Sequence, residues 1–238
     1  MIPYQSFNAI SLGFTTIYLW GIFTALAFLV AIFLAARKAE KLKIDKNMIY
    51  DLSFYILISA IVGSRIGFFI THPSEFSFMN FFKIWQGGMA FFGGFVLAFI
   101  VAVIYLKKKN LNFWKIADLF AFPVLIGHII GRIGCYITGE HIGKAANLPW
   151  SIYQEGALRH PVILYEIIGL IFIALLISNI KNKKQGTIFL AYLLLYSILR
   201  FIVTFFRIND PIFLFLTGSQ YTSIILFITS IILLIKRR

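Results

Sequence analysis

The sequence is poor in acidic residues and contains a single cysteine. Nine Asp and Glu stand against 22 Lys and Arg, so the formal net charge is +13. The lone cysteine, Cys135, excludes an internal disulfide framework. No metal-ligand spacing and no nucleotide-binding motif occurs, so neither a metal ion nor another cofactor is expected.

Polar stretches long enough for a soluble domain are also lacking. Hydrophobic residues make up 60% of the chain, and the mean hydropathy is +0.89. Soluble domains are roughly 45–50% apolar. Because the apolar residues lie in long runs, the sequence predicts an all-α integral membrane protein with a single transmembrane domain, 1–238. Seven transmembrane helices are expected, near 15–36, 50–71, 88–106, 114–137, 162–180, 186–206 and 220–235.

The basic residues occur in clusters between these spans, which is typical of cytoplasmic loops. With seven spans, all four clusters fall on one side. The N-terminus is therefore predicted outside and the C-terminus in the cytoplasm, with the lipid bilayer rather than nucleic acid as the partner of the positive charge. The clusters are Arg37, Lys38, Lys41, Lys43 and Lys46; Lys107, Lys108, Lys109 and Lys115; Lys181, Lys183 and Lys184; and Lys236, Arg237 and Arg238.

Arginine predominates among the basic residues outside these clusters. Four of these arginines lie in or beside predicted spans: Arg65, Arg132, Arg200 and Arg207. An ionisable side chain within a span is costly and by default indicates function. A planar guanidinium suits an oxyanion such as a phospholipid phosphate. The alternative is that these side chains reach the interface or pair with helix-end carbonyls.

Helical spacing predicts that polar side chains converge from two spans. Tyr196, Arg200, Thr204 and Arg207 follow i, i+4, i+8 and i+11 and share one face. In the fourth span, His128, Arg132, Cys135 and Tyr136 share another. Two G-x-x-x-G pairs, Gly63 with Gly67 and Gly127 with Gly131, are expected to bring helices close together.

Several ordered motifs resemble those of the bacterial prolipoprotein diacylglyceryl transferases. A G-x-R-x-G segment is matched by GSRIG at 63–67, and the W-x-G-G-M-x-F-H-G-G loop by WQGGMAFFGG at 85–94. The signature G-R-x-G-N-F-x-N-x-E-x-x-G is matched by GRIGCYITGEHIG at 131–143, and R-H-P-x-x-L-Y-E by RHPVILYE at 159–166. The last motif corresponds to Tyr196, Arg200, Phe205, Phe206, Arg207 and Asp210.

The resemblance implies transfer of a diacylglyceryl group from phosphatidylglycerol to the lipobox cysteine thiol of a preprolipoprotein signal peptide. Glycerol 1-phosphate would leave, at the extracytoplasmic face of the bacterial cytoplasmic (inner) membrane. By position, Arg132 would bind the head group and Arg200 the phosphate, and Glu140 and Arg207 would complete a polar wall. The other implied substrate-binding positions are Arg65, Gly143, Tyr165 and Tyr196.

The sequence departs from this family at groups suited to proton transfer. Phe92 occupies the position of the loop histidine, and Thr204 replaces a carboxylate between the last two arginines. The two signature asparagines are Cys135 and Thr138, and Trp20 replaces a tyrosine of the first helix. A relocated base is one interpretation, since a neutral imidazole can accept a thiol proton near pH 7.

Three histidines are candidates for that base: His128, one turn before Arg132, and also His141 and His160. Each could instead be a hydrogen-bonded packing residue. Cys135 is either a nucleophile or a small buried residue at a helix contact. Two further functional hypotheses remain: a related phospholipid-group transferase with another acceptor, and a non-catalytic lipid-binding homologue.

Overall fold

A computed structural model describes residues 2–11, 13, 16–83, 87–181, 184–208 and 210–237. Trp85 and Gln86 of the glycine-rich motif, and Lys183 and Arg238 of the basic clusters, lie outside the described residues. The chain divides into two compact units: one comprises Met1–Leu34 together with Ala117–Arg238, and the other is Ala35–Ile116.

The described chain is predominantly helical. Its helices are α1 Leu19–Lys41, α2 Lys46–Thr71, α3 Phe78–Phe82, α4 Phe91–Lys108, α5 Phe113–Thr138, α6 Val162–Ser178, α7 Thr187–Thr204 and α8 Gly218–Lys236. Within the described ranges, six helices are long and apolar enough to cross a membrane: α1, α2, α4, α5, α7 and α8. Helix α6 is apolar but shorter, with 17 residues. The chain is therefore a multi-pass membrane protein, as predicted.

In the part of the chain that the structure describes, three short antiparallel hairpins accompany the helices. They pair β1 Ala9–Ser11 with β2 Thr16–Tyr18, β3 Ile152–Gln154 with β4 Ala157–Arg159, and β5 Ile212–Phe213 with β6 Leu216–Thr217. Pairing of β2 with β1 explains why the first helix begins at Leu19, later than predicted. That helix also continues to Lys41, so Lys38 and Lys41 occupy its last turn, where positive charge complements the helix dipole.

Glycines permit the close contact between α2 and α4 in the unit Ala35–Ile116. A Cβ added at Gly67 would lie 3.0 Å from the Cα of Gly93, and one at Gly94 would lie 2.7 Å from the carbonyl oxygen of Ala60. A side chain at Gly94 would clash with the backbone, and one at Gly67 would push its neighbours apart, which supports the predicted packing role of Gly67. Phe92, beside them at the start of α4, is exposed.

The other unit places α5, α6 and α7 around an apolar core. Leu125 of α5, Leu170 and Ile173 of α6 and Tyr192 of α7 are buried together. Cys135 lies in a second cluster with Val162 and other apolar side chains. These contacts match the interpretation of Cys135 as a small buried residue.

Helix α7 begins with an N-cap residue that has no side chain. Gly186 occupies that position, and the Asp118 carboxylate of α5 accepts hydrogen bonds from the backbone nitrogens of Gly186, at 2.6 Å, and Phe189, at 2.8 Å. Asp118 thus supplies the cap from a neighbouring helix. Free N–H groups at a helix start need such acceptors.

We expect Asp118→Ala to lower the free energy of unfolding by about 1–2 kcal/mol, the usual effect of losing a helix cap. Thermal unfolding of the purified protein in detergent measures the change. The exposed Glu155, at the turn between β3 and β4, is the control, and Glu155→Ala should change stability by less than about 0.5 kcal/mol. Equal shifts in the two variants would contradict the capping role.

Candidate active site

A buried carboxylate, Glu166, lies where three helices meet. Glu166 is only 1% exposed and projects from the second turn of α6. Its Oε1 is 3.1 Å from Nη2 of Arg132 on α5, and its Oε2 is 3.2 Å from Nη1 of Arg200 on α7. A buried charge is tolerated only when it is paired and hydrogen-bonded. Glu166 therefore holds the two arginines together.

His128 belongs to the same cluster. Arg132 Nε donates to His128 Nε2 at 3.4 Å, so Nε2 carries the lone pair. His128 Nδ1 then bears the proton and faces the Tyr192 hydroxyl at 3.3 Å, and the Tyr196 ring centroid is 4.9 Å from that of the imidazole. The structure thus brings together the predicted residues His128, Arg132, Tyr196 and Arg200. Their catalytic and binding roles stay predictions.

The Glu166 cluster carries more positive than negative charge. Two guanidinium groups share one carboxylate. Thr204 of α7 stands where the family has another carboxylate, and its hydroxyl donates to the carbonyl of Arg200 at 2.7 Å. Arg200 Nη2 also donates to Ser219 Oγ of α8, at 3.4 Å. The net positive charge suits an anionic group such as a phosphate.

A second polar group surrounds Arg207, just beyond α7. Arg207 Nη2 donates to Asp210 Oδ1 at 3.0 Å and to His141 Nδ1 at 2.9 Å. Within the described part of the chain, Arg207 Nε and Nη1 are buried without a hydrogen-bond partner, as is Asp210 Oδ2. A buried donor left unpaired costs free energy. The guanidinium therefore has unused capacity to bind an acceptor.

A cavity of about 560 Å³ adjoins Arg207. Its polar wall includes Tyr18, Glu140, His141, Arg207 and Asp210. The Glu140 side chain is exposed, and among the described residues its carboxylate forms no ion pair. Trp20, the residue in place of the expected tyrosine, also lines this space.

The His141 imidazole is held neutral in this wall. Burial is the largest cause, and the positive charges of Arg207, Arg132 and Arg200 add to it, lowering the pKa of His141 from its ordinary 6.5 to about 4. Because Nδ1 accepts from Arg207, the proton of the neutral ring is on Nε2. His141 therefore orients Arg207 and offers an N–H rather than a lone pair.

The lowered pKa makes stability depend on pH in a defined direction. In the unfolded chain His141 is protonated below about pH 6.5, whereas in the folded protein it stays neutral down to about pH 4. The free energy of unfolding therefore falls as the pH falls between these values. We expect His141→Asn, which keeps an acceptor near Nδ1, to reduce this dependence. Unfolding midpoints of the wild type and the variant at pH 7.5, 6, 5 and 4 measure it. Parallel curves would contradict the assignment.

The loop before α6 supports the same wall. A Cβ added at Gly143 would collide with the carbonyl oxygen of His160, so only glycine fits there. His160 Nδ1 lies 3.1 Å from the Tyr165 hydroxyl, which also accepts from Trp150 Nε1 at 2.9 Å. His160 thus packs in the loop, and Gly143 pairs with Arg207 through a backbone bridge.

Arg65 lies in the other compact unit and is 4% exposed. Its Nε donates to the carbonyl of Phe81 at 3.1 Å, and its Nη1 to those of Gly87 at 2.6 Å and Gly88 at 2.9 Å. Its Nη2 donates to the carbonyl of Asn80. These contacts correspond to the alternative that an arginine pairs with backbone carbonyls. The implied head-group contact of Arg65 stays a prediction.

Comparison with known proteins identifies a family and several relatives of this chain. The model of the family described as Prolipoprotein diacylglyceryl transferase matches residues 8–236. The chain belongs to this family. It is 37% identical over 223 residues to the phosphatidylglycerol--prolipoprotein diacylglyceryl transferase of Finegoldia magna, covering 91% of this chain and 90% of that protein.

Two further relatives carry the same name. The Aliarcobacter butzleri protein is 34% identical over 251 residues, covering 98% of this chain and 92% of its own length. The Oceanobacillus iheyensis protein is 31% identical over 251 residues, covering 97% and 87%. The resemblance inferred from the motifs is therefore confirmed, and the chain is a prolipoprotein diacylglyceryl transferase family enzyme.

Glu166 is the residue of this transferase's site that sequence reasoning missed. Its signal was present, because it closes the RHPVILYE motif and is one of two acids close to a span on the predicted outer side. The motif alone does not show that one carboxylate is shared by Arg132 and Arg200. That sharing requires three helices to be adjacent.

Proposed function

We propose that this chain transfers the diacylglyceryl group of phosphatidylglycerol to a cysteine thiol in a preprolipoprotein signal peptide. The observation that carries the proposal is the pair of guanidinium groups, Arg132 and Arg200, on one buried carboxylate in a chain of this family. The remaining positive charge fits the phosphate of the donor lipid.

In the proposed reaction the cysteine sulfur forms a bond to the terminal glycerol carbon of the diacylglycerol moiety. The bond between that carbon and the phosphate oxygen breaks, and its electron pair stays on the oxygen, so glycerol 1-phosphate leaves. Arg132 and Arg200 stabilise the negative charge that develops on the phosphate. Arg207 and Glu140 contribute polar groups from the cavity wall, and Gly143, Tyr165 and Tyr196 shape the substrate site.

The thiol proton needs an acceptor, and His128 is the proposed one. Its Nε2 lone pair now accepts from Arg132 Nε, so a turn of that guanidinium toward a phosphate would free the lone pair. Glu166 Oε1, 4.0 Å from Nε2, would stabilise the imidazolium that forms. Phosphate binding and activation of the base are thereby coupled.

The proposal includes seven spans and an active site on the extracytoplasmic side of the bacterial inner membrane. Helix α6, at 17 residues, is about 25 Å long, and a hydrocarbon core is about 30 Å thick. Lys184 precedes α7 and Lys236 ends α8, whereas Arg207 lies at the opposite end of α7. Basic residues favour the cytoplasm, which supports an outer site, an outer N-terminus and a cytoplasmic C-terminus.

The deciding experiment incubates the purified protein, in vesicles, with acyl-labelled phosphatidylglycerol and a lipobox peptide. Label is expected on the peptide, and a peptide with serine in place of the cysteine should stay unlabelled. Consumption of phosphatidylglycerol without peptide labelling would point to another acceptor. Lipid retained by the protein without turnover would point to a non-catalytic homologue. Either result contradicts the proposal.

A further inference from the structure

An apolar hairpin follows the arginine site directly. Strand β5 and the turn after it present four consecutive large apolar side chains, Ile212, Phe213, Leu214 and Phe215, which are 70%, 72%, 73% and 91% exposed. Residues 212–217 are called the apolar hairpin below. A contiguous exposed apolar patch outside a helix indicates an interaction surface.

The backbone of the apolar hairpin is held in place. Ile212 pairs with Thr217 and Phe213 with Leu216, and the Tyr221 hydroxyl donates to the carbonyl of Phe213 at 3.0 Å. Leu214 has a φ of 56°, a left-handed conformation that is costly for a branched side chain. A turn that keeps this conformation presents its side chains in a defined direction.

The helices beside the hairpin place it at a membrane interface. Helices α7 and α8 have 18 and 19 residues, about 27 and 28 Å, slightly less than a hydrocarbon core of about 30 Å. The hairpin therefore begins where the hydrocarbon ends. Exposed apolar residues such as Ile202 and Phe205 at the end of α7 lead into it, so its tip continues the lipid-facing surface.

The hairpin is linked to the site on both sides. Before it, Asp210 pairs with Arg207, and after it, Ser219 accepts a hydrogen bond from Arg200. We propose that the apolar hairpin is an interfacial membrane anchor, which inserts its tip into the outer leaflet and thereby holds Asp210 and Ser219 against the two arginines. The choice of leaflet rests on the proposed orientation.

A fluorescent probe at the tip tests the insertion. A Phe215→Cys variant is labelled with an environment-sensitive nitrobenzoxadiazole dye and placed in vesicles of phosphatidylethanolamine and phosphatidylglycerol. The control is Glu155→Cys, at the exposed polar turn between β3 and β4, and the wild type, whose Cys135 is buried, is the labelling blank. Brominated lipid should quench the tip probe. Aqueous iodide should quench it about fivefold less than the control probe, as expected for a group within the headgroup–acyl boundary.

Iodide quenching equal at the two positions would overturn the anchor. The anchor would also be overturned if brominated lipid did not quench the tip probe but addition of the lipobox peptide shifted its emission. The tip would then bind the acceptor peptide. The fluorescence readout needs no turnover. If the labelled tip inserts but the wild type transfers no diacylglyceryl group, the proposed function is refuted and the anchor stays supported.

A second measurement links insertion to the site. In the transfer assay, Phe215→Asp is expected to slow transfer from bilayer phosphatidylglycerol about tenfold, whereas Phe215→Trp should keep the wild-type rate, because tryptophan favours the membrane interface. A Phe215→Asp variant that transfers at the wild-type rate would contradict the link between the anchor and the arginines.

Discussion

Glu166→Ala is expected to lower the free energy of unfolding by about 3–5 kcal/mol, the usual effect of removing one partner of a buried ion pair. The substitution leaves Arg132 and Arg200 close together in a buried site without their shared counter-charge. It also removes the group that orients both guanidiniums, so transfer is expected to be lost. Thermal unfolding in detergent and the peptide-labelling assay measure the two effects.

Two variants control this experiment. Glu166→Gln keeps the shape of the side chain but not its charge, so it should be nearly as inactive while destabilising the fold less. Glu155→Ala removes an exposed carboxylate at the turn between β3 and β4 and should change stability by less than about 0.5 kcal/mol. A Glu166→Ala protein within about 1 kcal/mol of wild type would show that the arginines do not depend on this carboxylate.

Arg132→Ala is expected to reduce the rate of transfer about 10²- to 10³-fold, as when one donor that stabilises developing negative charge is removed. Arg132→Lys should recover little, because an ammonium lacks the planar fork that can contact Glu166 and a phosphate together. Initial rates of peptide labelling at saturating phosphatidylglycerol give the result.

The matched control is Lys144→Ala, which removes an exposed positive charge from the loop between α5 and β3. It should change the rate less than twofold at moderate salt, since exposed charges are screened. In Arg132→Ala, Glu166 keeps Arg200 as a partner, so the variant should fold. If folded Arg132→Ala transferred at the wild-type rate, Arg132 would have no role in the reaction.

Features repeated along one helix could be predicted from the sequence. Apolar runs located the long helices, and the four-residue spacing placed His128 beside Arg132. Helix ends were less accurate. Pairing of residues 9–11 with 16–18 delays the start of α1, and this pairing has no apolar or charge pattern that predicts it.

Contacts between distant segments could not be predicted in the same way. The Arg65 guanidinium donates to carbonyls 15 to 23 residues away, and no local sequence pattern indicates these partners. A guanidinium can donate hydrogen bonds to backbone carbonyls as well as to a phosphate. Only the position of the loop around it decides between them.

The sequence by itself determined that this chain is a membrane protein, to which family it belongs, and which side chains share a helix face, because composition and helical period are local properties. The tertiary structure decided that Arg132 and Arg200 share Glu166, although Arg200 and Glu166 are 34 residues apart. It also decided that Arg207 contacts His141, 66 residues away. Such pairings depend on which helices and loops pack side by side, and that depends on the shapes of buried side chains from several segments at once.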